Sequence, residues 1–293
     1  MAAAAVILAG LFVVVERRVR VPLINFDFFR QANFTGATIV LFVVNFALIV
    51  ALFFLPLLLE ELLGYSATKA GVLLLPLIGA MVVMLPLGGP IAERVGPLPP
   101  LAAGLVMTAI GLFLLAGVHT GSTYAELWLP MVLTGAGTGL GLTPMNMAAM
   151  NAIPTRESGA AGGVFTTLSG IGIGFGVAVT GAVFNARQLS ETQSLAADSG
   201  IKLSDDKATA LDGLLAGASG AEQALRGFPK AAQGTVEHVV NEAFVLGLGS
   251  AFRVGAAVAL AGLVLALLLI RNRPPADSAE PVLTPHPVES DPD

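Results

Sequence analysis

The chain has 293 residues, a formal net charge of −5, three histidines and no cysteine. It is 55% hydrophobic and only 12% charged, against about 25% charged for a soluble domain, which marks an integral membrane protein. Disulfides, thiol catalysis and Cys-ligated metals are excluded; His119, His238 and His286 have no partner at ligand spacing, and no basic patch points to nucleic acid.

In chain order, the first apolar stretch is residues 2–15, followed by Glu16-Arg17-Arg18-Val19-Arg20. A helix of that length reaches about 21 Å, short of the ~30 Å hydrocarbon core. A signal peptide would carry its basic region before the apolar run rather than after it. Region 1–20 is therefore read as the end of a truncated helix with its basic loop. Six longer apolar segments follow, at about 34–59, 70–87, 100–118, 127–150, 159–186 and 244–270. Each is long enough to cross a bilayer. The third enters through Pro97, Pro99 and Pro100, which suits a helix start because the first N–H groups have no helical partner. Between the last two segments lies a long acidic loop, 188–241, carrying Glu191, Asp198, Asp205, Asp206, Asp212, Glu222 and Glu237. Apolar spacing within it predicts a solvated cap of short amphipathic helices. The Pro-rich acidic tail, 271–293, reads as disordered.

The stretch 55–96 carries the most specific pattern. A helix ends in Leu59-Glu60-Glu61; Gly64-Tyr65-Ser66 turns the chain back; Ala70-Gly71 and Pro76 open the next helix; and Gly89-x-x-Ala92-Glu93-Arg94-x-Gly96 closes it. In order and spacing this resembles the C-terminal half of a fourteen-helix drug:proton antiporter of the major facilitator superfamily, the EmrB/QacA type. Glu60 stands where that family has Gln. Gly89, Glu93, Arg94 and Gly96 are similar to its cytoplasmic loop motif, with Pro97 and Leu98 in place of the usual basic pair. The resemblance runs from about residue 16 to 273. It implies an all-α membrane protein: a C-terminal six-helix major-facilitator-type bundle over 34–270, plus one short preceding helix, about seven helices in all.

Loop charge sets an orientation. One set of alternate loops holds Arg17, Arg18, Arg20, Arg30, Arg94, Arg156, Arg271 and Arg273; the short loops of the other set hold only Lys69. Short cytoplasmic loops are rich in Lys and Arg, so the first set is expected inside, with the C-terminus cytoplasmic and loop 188–241 outside. The expected location is the plasma membrane, crossed several times.

Polar residues at membrane depth are the candidates for chemistry, because an amide or hydroxyl in hydrocarbon needs a partner or a wet cavity. Asn45, in the middle of the first long helix, leads them. The resemblance implies that this helix borders a central cavity. Asn146, Thr138 and Thr143 are further cavity candidates, each also satisfied by a plain hydrogen bond between helices. Gly135/Gly139, Gly170/Gly174 and Gly172/Gly176 are four apart, which brings small residues onto one helix face and lets backbones approach closely. Static packing and a sliding seam both use that spacing. Arg253, a turn or two into the last helix, suits anchoring near the interface. The apolar segments hold no nucleophile–base pair, metal cluster or cofactor motif, so no enzyme and no cofactor is expected.

The resemblance implies a multidrug-efflux-type permease that exports hydrophobic or cationic small molecules by alternating access. Its partners would be the lipid bilayer, the small substrate, protons and a missing N-terminal half supplying the coupling groups. A non-transporting remnant or membrane interaction module is the competing reading.

Overall fold

The computed structural model describes residues 32–150, 158–198 and 230–270. The expected short helix at 1–20, the middle of the acidic loop and the tail lie outside these. The described residues form helices alone: α1 (Ala32–Leu57), α2 (Ala67–Leu73), α3 (Leu75–Val95), α4 (Leu98–Leu115), α5 (Tyr124–Met150), α6 (Ser158–Asp198) and α7 (Lys230–Leu269). A short π-helical turn, Leu58–Leu62, extends α1.

Several boundaries differ from the sequence expectation, each for a local reason. Pro56 has no N–H to give the helix. After it the backbone widens rather than stopping: Leu63 N donates to Leu58 O at 3.3 Å and Tyr65 N to Leu59 O at 3.1 Å. Glu60 and Glu61 thus lie in a helical turn. Gly64 then takes a left-handed φ of 67°, and Ser66 caps α2, its Oγ accepting from Lys69 N at 3.4 Å. Pro76 sets the break between α2 and α3. Leu77 N turns to Leu74 O at 3.1 Å, and the bypassed Leu73 carbonyl accepts instead from the Tyr124 hydroxyl at 3.0 Å. α3 was expected to end at 87, but it continues through Gly88-Gly89-Pro90 to Val95. Gly88 is buried there, and a methyl group on it would fall 2.6 Å from the Leu140 carbonyl oxygen of α5. Packing on α5 therefore holds a stretch that intrinsic propensity would break. α6 and α7 overrun their expected ends most, to Asp198 and from Lys230, with 41 and 40 residues. At ~1.5 Å per residue each is about 60 Å long, twice the hydrocarbon core. The flanks of the acidic loop are thus helical continuations of the membrane helices.

Among the described residues, five helical stretches are long and apolar enough to cross a membrane: Phe34–Leu62, Ala67–Val95, Leu98–Leu115, Gly162–Leu195 and Gly234–Leu269. α5, with its Gly-Thr-rich middle, is the long helix outside that set. It is also the most enclosed, packed on α3, α4 and α1. Neighbouring helices rather than lipid surround its glycines and threonines, so it needs less apolar surface of its own.

The contacts follow one rule. α3 and α4 pack on α5; α6 and α7 pack on α1; α1 meets α5, and α4 meets α7. Exchanging α1 with α5, α3 with α6 and α4 with α7 maps this pattern onto itself. The α6–α7 contact is larger than its counterpart α3–α4, as the greater length of both helices requires. The bundle is therefore two three-helix units of matched packing. Two apolar clusters fill it. One gathers Phe54, Leu58, Leu77, Leu112, Met131 and Phe252; the other gathers Phe34, Leu41, Leu101, Met145, Phe165 and Ala266. Phe54 anchors the first, 5.5 Å from the Phe184 ring and 6.2 Å from that of Phe252.

Candidate functional site

Backbone-close seams tie each unit to its central helix. On α5, a methyl group added at Gly135 would fall on the Leu77 carbonyl oxygen of α3, and one at Gly139 on that of Met81. The four-residue spacing of the glycines meets the four-residue spacing of their contacts. The next register of the same helix serves α4: a methyl at Gly137 would lie 2.5 Å from Gly104 O and from Thr108 N, and one at Gly104 would lie 2.5 Å from Gly137 O. Two glycine lines on one helix thus hold two neighbours.

The equivalent seam joins α1 and α6. A methyl at Gly172 would lie 2.8 Å from Phe42 O and 3.4 Å from the Asn45 Cβ; one at Gly176 would run into the Ile49 side chain and lie 3.2 Å from Phe46 O. Gly170 and Gly174, expected to pack with the same spacing, face open space. Their register points away from every described neighbour. Of the two interleaved lines on α6, the one through Gly172 and Gly176 is the seam.

The polar candidates fall into different settings. Asn45 is half-buried on the α1 face beside Gly172, and its Nδ2 donates to Leu41 O at 2.9 Å. That uses one of the amide's two N–H groups and leaves its carbonyl oxygen as an acceptor. Asn146 makes the same bond, Nδ2 to Leu142 O at 2.9 Å, at an exposed position on α5. Thr143 Oγ1 crosses to α3 and donates to Leu85 O at 2.9 Å, so it ties two helices together. Thr138 is 1% exposed and its hydroxyl donates to Thr134 O at 2.8 Å. It occupies an interior place among the helices. Asn45 belongs to the α1–α6 seam and Thr143 to the α3–α5 seam; the structure places them on different contacts.

The loop motif lies at a helix end. Gly89 is inside α3, with Thr143 Cγ2 3.3 Å from where its Cβ would be. Glu93 and Arg94 occupy the exposed last turn, where a cation is favoured by the helix dipole. Gly96 ends the helix with φ 88° and its N–H on Ala92 O at 2.9 Å. A side chain is strained at that φ, so glycine is required by the backbone itself.

Sequence reasoning missed Thr35 and Thr38. They line a groove of about 220 Å³ with Ile39, Phe42 and Leu168, between α1 and α6. The spacing Thr35, Thr38, Phe42, Asn45 follows one helical face and was the signal available. Gly88 and Gly104 were missed too, because their partners on α5 lie far away in sequence.

Residues 1–177 match the sequence profile of the Major Facilitator Superfamily. The chain is 30% identical over 281 residues to the tetracenomycin C resistance and export protein of Streptomyces glaucescens, covering 94% of this chain and 51% of that protein. It is 33% identical over 177 residues to the multidrug resistance protein Stp of Mycobacterium tuberculosis, covering 60% and 33%. It is 30% identical over 180 residues to the quinolone resistance protein NorB of Staphylococcus aureus, covering 60% and 38%. The chain spans about half or less of the length of these relatives.

Proposed function

The chain belongs to the major facilitator superfamily, and from that premise we propose that it is the C-terminal six-helix domain of an efflux permease for hydrophobic or cationic small molecules. The relatives named above are resistance and export proteins, and the fold is the multi-pass helical bundle that such work needs. One observation carries the reading: equivalent glycine seams at α3–α5 and α1–α6, related by exchange of the two three-helix units. Side chains that interdigitate lock two helices in one register, whereas bare backbone contacts let helices shift against each other. A transporter that alternates access must let its parts rock about a site held between them. Asn45, beside the Gly172 contact, is the proposed polar group of that site, with Asn146, exposed on α5, as a second polar candidate. Proton coupling requires a group that gains and loses a proton within the membrane. In this reading the coupling carboxylate lies in the other half of the transporter.

The test is accumulation of a fluorescent lipophilic cation in cells carrying the complete reading frame, against cells in which it is deleted. Deletion is expected to raise accumulation, and an uncoupler to abolish the difference. Equal accumulation with the protein demonstrably in the membrane would sink the efflux reading. Efflux that survives the uncoupler would sink proton coupling alone.

A further inference from the structure

We propose that Arg253, with the exposed flank where α7 meets α4, forms a site for one anionic phospholipid. The guanidinium holds the phosphodiester and an acyl chain lies along the apolar stripe beneath. The site stands on the membrane bundle alone and does not rest on the efflux reading. Arg253 is exposed and, among the described residues, has no ion pair or hydrogen bond. Lys69, by contrast, lies 4.1 Å over the Tyr65 ring, and Arg187 pairs with Glu191 at 2.8 Å. Gly249 marks the height of the Arg253 head. A methyl group there would fall 2.8 Å from the Ala116 carbonyl oxygen, at the residue that caps α4, and 3.9 Å from Arg253 Nη2. The side chain therefore reaches back toward the start of α7, as helical side chains lean. It carries its charge to the level where α4 ends, which is how a long cationic side chain near a helix end reaches the headgroup layer.

Charge and shape together identify the occupant. Below Arg253, exposed residues of α7 recur at helical spacing: Ala257, Leu260, Val264 and Leu267. From Arg253 to Leu267 this stripe runs about 21 Å, more than the ~15 Å that one leaflet gives to the hydrocarbon core. On α4, Leu112 faces α7, its Cδ1 3.1 Å from where a Gly255 Cβ would be, and its neighbour Phe113 is 66% exposed. An anion above and hydrocarbon below therefore meet one continuous surface. A soluble anion would use the guanidinium and leave the stripe empty; a neutral lipid would use the stripe and leave the cation unmatched. A guanidinium offers paired N–H donors to two phosphate oxygens at once. Phosphatidylcholine carries a cation of its own beside its phosphate, so phosphatidylglycerol is the better match.

Trp128 is the chain's single tryptophan, so Trp128→Phe with Phe113→Trp moves the one indole to the site. The full chain with these changes is placed in vesicles holding a minority of phosphatidylglycerol in phosphatidylcholine. Bromine sits near the top of the acyl chains, either of the phosphatidylglycerol or of an equal amount of the phosphatidylcholine. Composition and surface charge are then the same in both arms, and only local enrichment separates them. Brominated phosphatidylglycerol is expected to quench as if about fivefold concentrated at the indole, the worth of one arginine against anionic lipid. Arg253→Gln should make the two arms equal, while Lys69→Gln, at the same end of the bundle, should leave the enrichment intact. Leu260→Trp in place of Phe113→Trp reads the same site from α7, so a fault in one reporter does not decide the result. Equal quenching in the two arms with Arg253 present overturns the assignment, and so does enrichment that survives Arg253→Gln. Enrichment lost equally in Lys69→Gln would show diffuse surface charge instead of a site, and quenching by neither lipid would show a face covered by protein; both overturn it. Loss of the enrichment on adding soluble glycerol phosphate would show a site for free phosphate and overturn the lipid assignment. An absence of efflux in cells touches none of these readings.

Discussion

Gly172 and Gly174 stand two residues apart on α6, yet a side chain at one would meet the α1 backbone and at the other nothing. Replacing Gly172 with Leu must push α6 off Phe42 and Asn45, at a cost on the order of 1–3 kcal/mol or more for overpacking. Gly174→Leu should leave the melting temperature of the detergent-purified bundle nearly unchanged. Matched losses in both variants would mean that α6 packs in another register. The sequence pattern offered both lines, because Gly170/Gly174 and Gly172/Gly176 have identical spacing. Only the partner surface of Phe42, Phe46 and Ile49 distinguishes them, and that information lies more than a hundred residues away. Gly96 is different, since its φ of 88° is a backbone demand. Gly96→Ala is expected to cost about 1 kcal/mol or more of stability, measurable by the same thermal assay; an unchanged melting temperature would show that the helix end relaxes freely.

Among the elements, the positions of the membrane helices were legible and their ends were not. Apolar composition reports where lipid or protein surrounds a helix, not where its hydrogen bonding stops. α6 shows this. Its buried positions recur every fourth residue, Gly172, Gly176, Thr180, Phe184, Gln188 and Thr192, so the line crosses the expected end at 186 without a break. Beyond it, the Arg187–Glu191 pair at 2.8 Å supports the next turns, as charges four apart do on any exposed helix. The enclosed α5 was recognised by length and flanks despite its glycines. The α2–α3 break was visible as Pro76, but not its remedy, since Tyr124 is 51 residues from Leu73. Burial, and next the neighbouring Tyr65, raise the Tyr124 pKa above its ordinary value. The phenol therefore keeps its donor proton, and the bond persists, through the physiological range. Tyr124→Phe should cost about 1 kcal/mol, or up to about 3 if the Leu73 carbonyl is left dry. A thermal shift indistinguishable from zero would indicate that water already serves that carbonyl.

For the whole molecule, the matched seams say how helices pack but not which end faces the cytoplasm. That rests on charge. The loops joined to the Arg94 end carry eight arginines against one lysine in the short loops opposite, and translocating a short basic loop is disfavoured. Arg94 and Glu126 are both exposed, and the chain between them crosses the bundle once, along α4 (Leu98–Leu115). They must therefore lie at opposite ends, and one labelling experiment reads both. A membrane-impermeant thiol reagent on intact cells should modify Glu126→Cys and spare Arg94→Cys, with Arg94→Cys reacting once the cells are opened. Neither substitution removes a buried contact, so loss of fold does not confuse the result. Labelling of Arg94→Cys alone on intact cells would invert the topology.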